Sequence, residues 1–183
     1  MLNTKRDIKN TNYLYYLGGF VEGEGSISVS VTIHKDFKYG VNIQPIFNVT
    51  QHKNGLAILN SFKELFNAGS VLQKSGSPDI YVYTLKGYKQ IIKSVIPCAY
   101  AKEIYFCPFT CKMEEYSIFK DVVFQSSFGK QKDKETLIEL VKLSYKLTGK
   151  GKTRKRELSE ILEILEDKHT YFNKNPINKI NNN

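Results

Sequence analysis

Leu17-Gly18-Gly19-Phe20-Val21-Glu22-Gly23-Glu24-Gly25-Ser26 decides how this chain reads, because four glycines and two carboxylates close an apolar helix that ordinary core packing does not ask for. Set out from Thr11 at about 100° per residue, Tyr13, Leu14, Leu17, Phe20 and Val21 fall on one side of that helix. Gly18, Gly19 and Gly23 fall on the other. Thr11 or Asn12 is the expected N-cap, and the turn from Gly23 to Gly25 is the expected end. The apolar side can cover the chain's own sheet. Each interior glycine costs about 1 kcal/mol relative to alanine, so the bare side predicts a compensating contact, the close approach of a second helix. A phosphate-binding loop is set aside on order: there glycines precede a helix N-terminus, and here the helix precedes the glycines.

Working outward, 183 residues suffice for one well-packed domain, expected over residues 1–170, and not for two. A formal charge of +9 on a chain with 41% hydrophobic residues describes a folded protein with a polyanionic partner, nucleic acid before membrane. No apolar run reaches the roughly 18 residues of a spanning helix, and MLNTKRDIKN has no apolar signal core, so a soluble intracellular protein is expected. Cys98, Cys107 and Cys111 are odd in number and lack zinc-finger spacing. They read as buried thiols. Pro108 between Cys107 and Cys111 argues against a metal pair there.

After the glycine turn, Ile27 to Lys35 alternates strictly: Val29, Val31 and Ile33 on one face, Ser28, Ser30, Thr32 and His34 on the other. A turn from Lys35 to Gly40 returns the chain into a strand where Val41, Ile43, Phe47 and Val49 alternate with Asn42, Gln44, Asn48 and Thr50. The polar face of this hairpin is rich in short side chains that donate and accept hydrogen bonds. Such a ribbon suits the major groove, where Asn and Gln pair with adenine and Ser, Thr and His meet several bases. A helix from Lys53 to Asn67 follows, then a second hairpin of Ser70 to Lys74 and Asp79 to Leu85 around Ser75-Gly76-Ser77-Pro78. Lys74 is a further candidate for DNA contact. A third helix, Gly87 to Val95, is expected to stop before Pro97. The order is αββαββα, an α+β class.

The residues Leu17 to Gly25 and this element order resemble the LAGLIDADG homing endonucleases, in the small single-motif form. Glycine replaces alanine in the second motif position and glutamate replaces aspartate at both acids. The resemblance implies an αββαββα core with an antiparallel DNA-binding sheet and C-terminal helices. It also implies a homodimer on paired motif helices through Gly18, Gly19, Glu22 and Gly23, and a metal held by Glu24 with the Gly23 carbonyl. Mg²⁺ is the expected cofactor, with Mn²⁺ able to substitute. The stretch Val49-Thr50-Gln51 and Lys102 beyond Pro97 continue the likeness. By it Gln51 holds water near the metal and Lys102 brings positive charge to the cut. Family likeness further implies a staggered cut with short 3′ overhangs in a pseudo-palindromic double-stranded DNA target, and intron mobility. The family's arginine, four residues beyond the glutamine, falls on Gly55. His52 or Lys53 supplies that charge, or it is missing.

Cys98 to Phe128 reads as helical segments interrupted at Pro108, Asp133 to Leu147 as a helix, and Leu158 to Lys168 as the last one. Lys146 to Arg156 holds six Lys or Arg and no acid. Within it, Lys152, Thr153, Arg154 and Lys155 resemble a phosphate-contacting segment of the same family, and basic loops beside helix N-termini attract phosphate. Tyr171 to Asn183, rich in asparagine, is expected to be a disordered tail. The abundance of Asn, Lys, Ile and Tyr suggests an A·T-rich organellar genome. The alternative, motivated by Gly55, is an RNA-splicing maturase with intron RNA as partner, or a binding module that has lost cleavage. Retention of Glu22, Glu24, Gln51 and Lys102 argues against it.

Overall fold

Twelve residues of unbroken alternation, Val41–His52, form the strand β2 around which the rest assembles; every odd residue from Val41 to Val49 is buried and every even one half-exposed. The computed structural model describes residues 10–98, 113–129, 132–147, 154 and 156–175. Helix α1 spans Thr11–Glu24 and runs directly into β1, Gly25–Ile33. After β2 a single 3-10 turn, Lys53–Gly55, leads into α2, Leu56–Phe66. Then come β3 (Ser70–Lys74), β4 (Ser77–Lys86) and α3 (Tyr88–Cys98). The C-terminal helices are α4 (Met113–Ser127), α5 (Lys134–Leu147), α6 (Leu158–Glu166) and α7 (Lys168–Lys174). This is the α+β class and the αββαββα order read from the sequence.

The four strands form one antiparallel sheet in the order β1-β2-β4-β3. Pro45 carries no N–H, and it sits one residue before the pairing of β2 with β4 begins at Ile46 and Lys86. Helices pack on one face, where Val29, Ile43, Phe47, Val49, Tyr83 and Leu85 are buried. At the centre the Phe47 ring meets Phe62, Phe66 and Tyr83 with centroids 6.1 to 6.4 Å apart at steep angles, the edge-to-face geometry that aromatic rings favour. Tyr83 donates its hydroxyl to the Ala68 carbonyl at 2.9 Å, and burial pushes its pKa well above the usual tyrosine range.

Local differences from the sequence reading have physical causes. Asn10, not Thr11 or Asn12, caps α1, its side chain accepting from the Asn12 N–H at 3.0 Å. Helix α3 runs to Cys98, three residues past the expected end at Val95; Pro97 falls in its last turn, where the missing N–H costs a single bond. Strand β4 begins at Ser77, so the turn is tighter than expected, with Gly76 at φ 74. The last helix is broken at Asp167. There the Thr170 hydroxyl and then the Thr170 N–H hold the Asp167 carboxylate below its usual pKa and start α7. Asp133 opens α5 in the same way through the Thr136 N–H and hydroxyl.

Tyr171, expected to begin a disordered tail, is instead 5% exposed in α7. Its hydroxyl donates to Glu160, which also receives Arg156. Burial first, then Glu160, pushes its pKa up to about 12. Residues 176–183 of that tail lie outside the described residues.

The C-terminal helices also hold the hairpin tip. Lys168 donates to the Phe37 carbonyl at 2.7 Å, and Lys38 and Tyr39 both donate to the Lys132 carbonyl, at 3.0 and 3.1 Å. At the other end of the hairpin, α1 meets β1 with no room for a side chain: a Cβ on Gly25 would lie 2.5 Å from the Val21 carbonyl oxygen and 2.6 Å from its Cγ1. Gly25→Ala is therefore expected to cost about 1–3 kcal/mol, the toll of overpacking against backbone, read as a lower midpoint in urea with an unchanged slope.

Candidate nucleic-acid interface and catalytic end

The sheet face away from the helices is polar because of its period of two. Register places Thr32 beside Asn42, Ser30 beside Gln44, Ser28 beside Ile46 and Lys86, and Ser26 in a row with Asn48, Thr84 and Ser70. Thr50 follows, beside Val82 and Leu72. The structure thus brings Ser28, Ser30, Thr32, Asn42, Gln44, Asn48 and Thr50 onto one surface, with Lys74 at its edge. Among these, the Thr32 hydroxyl makes one long bond to the Asn42 carbonyl at 3.4 Å. The side chains of Ser28, Ser30, Asn42, Gln44, Asn48 and Thr50 make no hydrogen bond within the described protein. Asn48 even keeps its amide oxygen buried without a partner, a state that costs about 1–3 kcal/mol.

His34 does not join them as a strand residue. Strand β1 stops at Ile33, and His34 opens the turn, its Nδ1 accepting the Asp36 N–H at 3.3 Å and its ring edging Phe37. Ser26, Ser70, Thr84 and Lys86 belong to the same surface and were missed. The signal was present in the alternation Val82, Thr84, Lys86 along β4. Lys86 is exposed and makes no ion pair among the described residues.

Glu24 is the last residue of α1 and exposed. Gly23 lies in the last turn, where helix carbonyls have no internal donors left. A carboxylate and carbonyls are hard oxygen donors at the negative end of a helix dipole, the donor set that Mg²⁺ and Ca²⁺ accept. No three His, Cys, Asp or Glu side chains cluster into a metal site among the described residues. Gln51 is half-buried on the helix side of the sheet, two residues beyond Val49, the partner of Gly25, or about 7 Å along β2. Its Oε1 accepts the His52 N–H at 2.7 Å. A Cβ on Gly55 would meet Gln51 Cγ at 2.2 Å. Of the two residues considered as substitutes for an arginine, His52 caps the 3-10 turn through Asn54 N–H, and Lys53 pairs with Asp79 at 2.8 Å in the open.

On α1, the exposed line passes through Tyr15, Tyr16, Gly19 and Gly23, and a Cβ on Gly19 or Gly23 would find nothing within 4 Å. Gly18 departs from expectation: it is buried within the single chain, so the open side begins at Gly19. Glu22 is half-buried. Lys102, Lys152, Thr153 and Lys155 lie outside the described residues, as do Cys107, Pro108 and Cys111.

Arg154 was expected to meet phosphate and is turned inward. Its guanidinium donates to the Ser144 carbonyl at 2.6 Å and the Val29 carbonyl at 3.3 Å, and stacks on Tyr145 4.0 Å from the ring centre. Burial lowers its pKa, an effect that Tyr145 opposes. It ties α5 to β1.

A reading face and an acidic helix end built on one rigid unit are what a sequence-reading nuclease requires. The family model described as LAGLIDADG endonuclease matches residues 17–123, more than half of the chain. The chain belongs to the LAGLIDADG endonuclease family. Homing endonuclease I-ApeII of Aeropyrum pernix is 29% identical over 154 residues, 82% of this chain and 88% of that protein. The archaeal intron-encoded homing endonuclease I-Vdi141I, solved in complex with DNA, superposes with a TM-score of 0.71 at 31% identity, covering 86% of this chain and 97% of its own. The group I intron-encoded I-CeuI, also solved with DNA, gives 0.68 at 27% identity, over 80% of this chain and 68% of its own.

Arg154→Ala is expected to cost about 1–3 kcal/mol of stability, since it removes the charged hydrogen bonds to the Ser144 and Val29 carbonyls and the stacking on Tyr145. The slope of log affinity for DNA against log salt should stay unchanged; a slope shallower by about 1 would return Arg154 to the phosphate contacts.

Proposed function

We propose that this chain, a site-specific homing endonuclease by family and fold, works as a homodimer that makes a staggered double-strand cut in a long pseudo-palindromic DNA target and so promotes intron mobility. The observation that carries the reading is the sheet face whose Ser, Thr, Asn and Gln side chains leave their hydrogen-bonding capacity unspent. A solvated surface does not need such a row ordered by strand register; a major groove does. The charge of +9 supplies the sequence-independent attraction to phosphate, with Lys74 and Lys86 beside the face and Lys152, Thr153 and Lys155 proposed as further backbone contacts.

One motif per chain means one half-site reader per chain, and cutting two strands takes two. The open backbone at Gly19 and Gly23, flanked by Tyr15 at 58% and Tyr16 at 48% exposure, supports helix-to-helix docking there. Docking would bring two Glu24 carboxylates together, which repel unless a cation lies between them. Glu24 and the Gly23 carbonyl of each chain would hold a divalent cation, Mg²⁺ in this proposal, which when bound supplies Lewis acidity for phosphodiester hydrolysis. Gln51 orients a water on the helix side of the sheet, and Lys102 is proposed to offset charge on the cleaved phosphate. The alternative of a maturase or cleavage-deficient binder rested on Gly55, and the packing of Gln51 over Gly55 gives that glycine a local reason.

Gly19→Leu tests the dimer. The new side chain meets open space in one chain and favours the helix by roughly 1 kcal/mol, so folding is spared. Sedimentation equilibrium should nonetheless shift from dimer to monomer, and double-strand cutting should vanish; a variant that stays dimeric and active removes α1 from the interface.

Glu24→Gln tests the chemistry. Cleavage in Mg²⁺ should fall about a thousandfold or more, while DNA binding in Ca²⁺ is retained. Full cutting by the variant ends the assignment of Glu24, and a wild type that binds tightly yet never cuts in Mg²⁺ favours the cleavage-deficient alternative.

A further inference from the structure

Leu72 is 66% exposed in the middle of β3, on the polar face of the sheet. A single exposed leucine needs no explanation. This one is not single: register puts Val82 directly beside it and Thr50 beyond, while Ile80 follows Val82 on the same face next to His52. Ser70 and Lys74, two residues to either side on β3, are exposed and polar. The result is a small apolar patch inside a surface that otherwise carries hydrogen-bonding groups and lysines.

Three side chains are far too few for a protein partner, which needs about 800 Å² from each side. Its occupant must present a small apolar group embedded in polar, anionic surroundings. Of the groups on base-pair edges in the major groove, only the 5-methyl of thymine meets that description in unmodified DNA. We propose that Leu72, paired in register with Val82 and on the same face as Ile80, reads the 5-methyl group of one thymine in each half-site. This rests on the sheet being the DNA-reading face, and it adds a specificity determinant that hydrogen-bond pairing alone would miss. Cytosine in the same place offers no methyl and would leave Leu72 against water.

The test uses a duplex that the wild-type protein selects from a random-sequence pool. Its thymines are then replaced one at a time by deoxyuridine, which keeps every hydrogen-bonding atom and removes only the methyl. At one thymine per half-site the replacement should weaken wild-type binding about fourfold, the worth of one buried methyl group. Leu72→Ser should bind the thymine and deoxyuridine duplexes equally there, and Leu72→Met should restore the difference. Because Leu72 is exposed, neither variant threatens folding. Identical thymine-to-uracil profiles for wild type and Leu72→Ser overturn this proposal alone. So does a Leu72-dependent change in self-association without DNA, which would make the patch a contact between copies. A pool that yields no preferred sequence overturns the site-specific reading beneath it.

Discussion

The absence of a Cβ at Gly25 governs the geometry on which everything else depends. Helix α1 ends at Glu24 and the strand that carries Ser28, Ser30 and Thr32 begins at the next residue, with the Val21 carbonyl pressed against Gly25. No linker intervenes. The acidic end of the helix and the polar face of the sheet therefore form one rigid body, and the spacing between them is set by covalent geometry and van der Waals contact rather than by a hinge. A protein that must cut at a fixed offset from the bases it reads gains from that arrangement, since misplacement by about 1 Å can cost a hundredfold in rate.

Rigidity at the other end of the same hairpin has a different origin. The turn between β1 and β2 is far from the aromatic core of Phe47, Phe62 and Tyr83, yet its carbonyls and side chains are fastened by Lys168 and by the Lys132 carbonyl. Arg154 adds a tie from the middle of β1 to α5. The C-terminal helices thus act on the back of the reading strands. The face they support is left with unpaired polar groups, including the buried Asn48 oxygen, so it is locally unfavourable in the free protein.

What was legible in the sequence followed from periodicity. The alternation of β1 and β2 and the glycine side of α1 each declare a face, and a face implies a layer. Three kinds of fact were not legible. Gly18 is buried although the wheel groups it with Gly19, because burial on a helix flank depends on neighbours distant in the chain. Arg154 sits in a basic run but is drawn inward by two carbonyls, and a carbonyl's position has no sequence signature. Tyr171 looked like the start of a polar tail, yet one buried ring and its bond to Glu160 anchor a further helix. Local composition described Arg154 correctly as basic; tertiary partners decided where all three residues went.

Position 55 shows how a departure from a family pattern can be a packing exchange. Where the resemblance implies an arginine, this chain has a glycine, and the space that its side chain would need is occupied by Gln51. With Gln51 as placed, even an alanine at 55 would put two carbons 2.2 Å apart, so a long side chain there and this rotamer of Gln51 exclude each other. Gln51 is in turn held down by accepting the His52 N–H. An arginine at 55 would require Gln51 to leave this rotamer and its bond to the His52 N–H, while strand alternation would keep its Cβ on the helix side of the sheet.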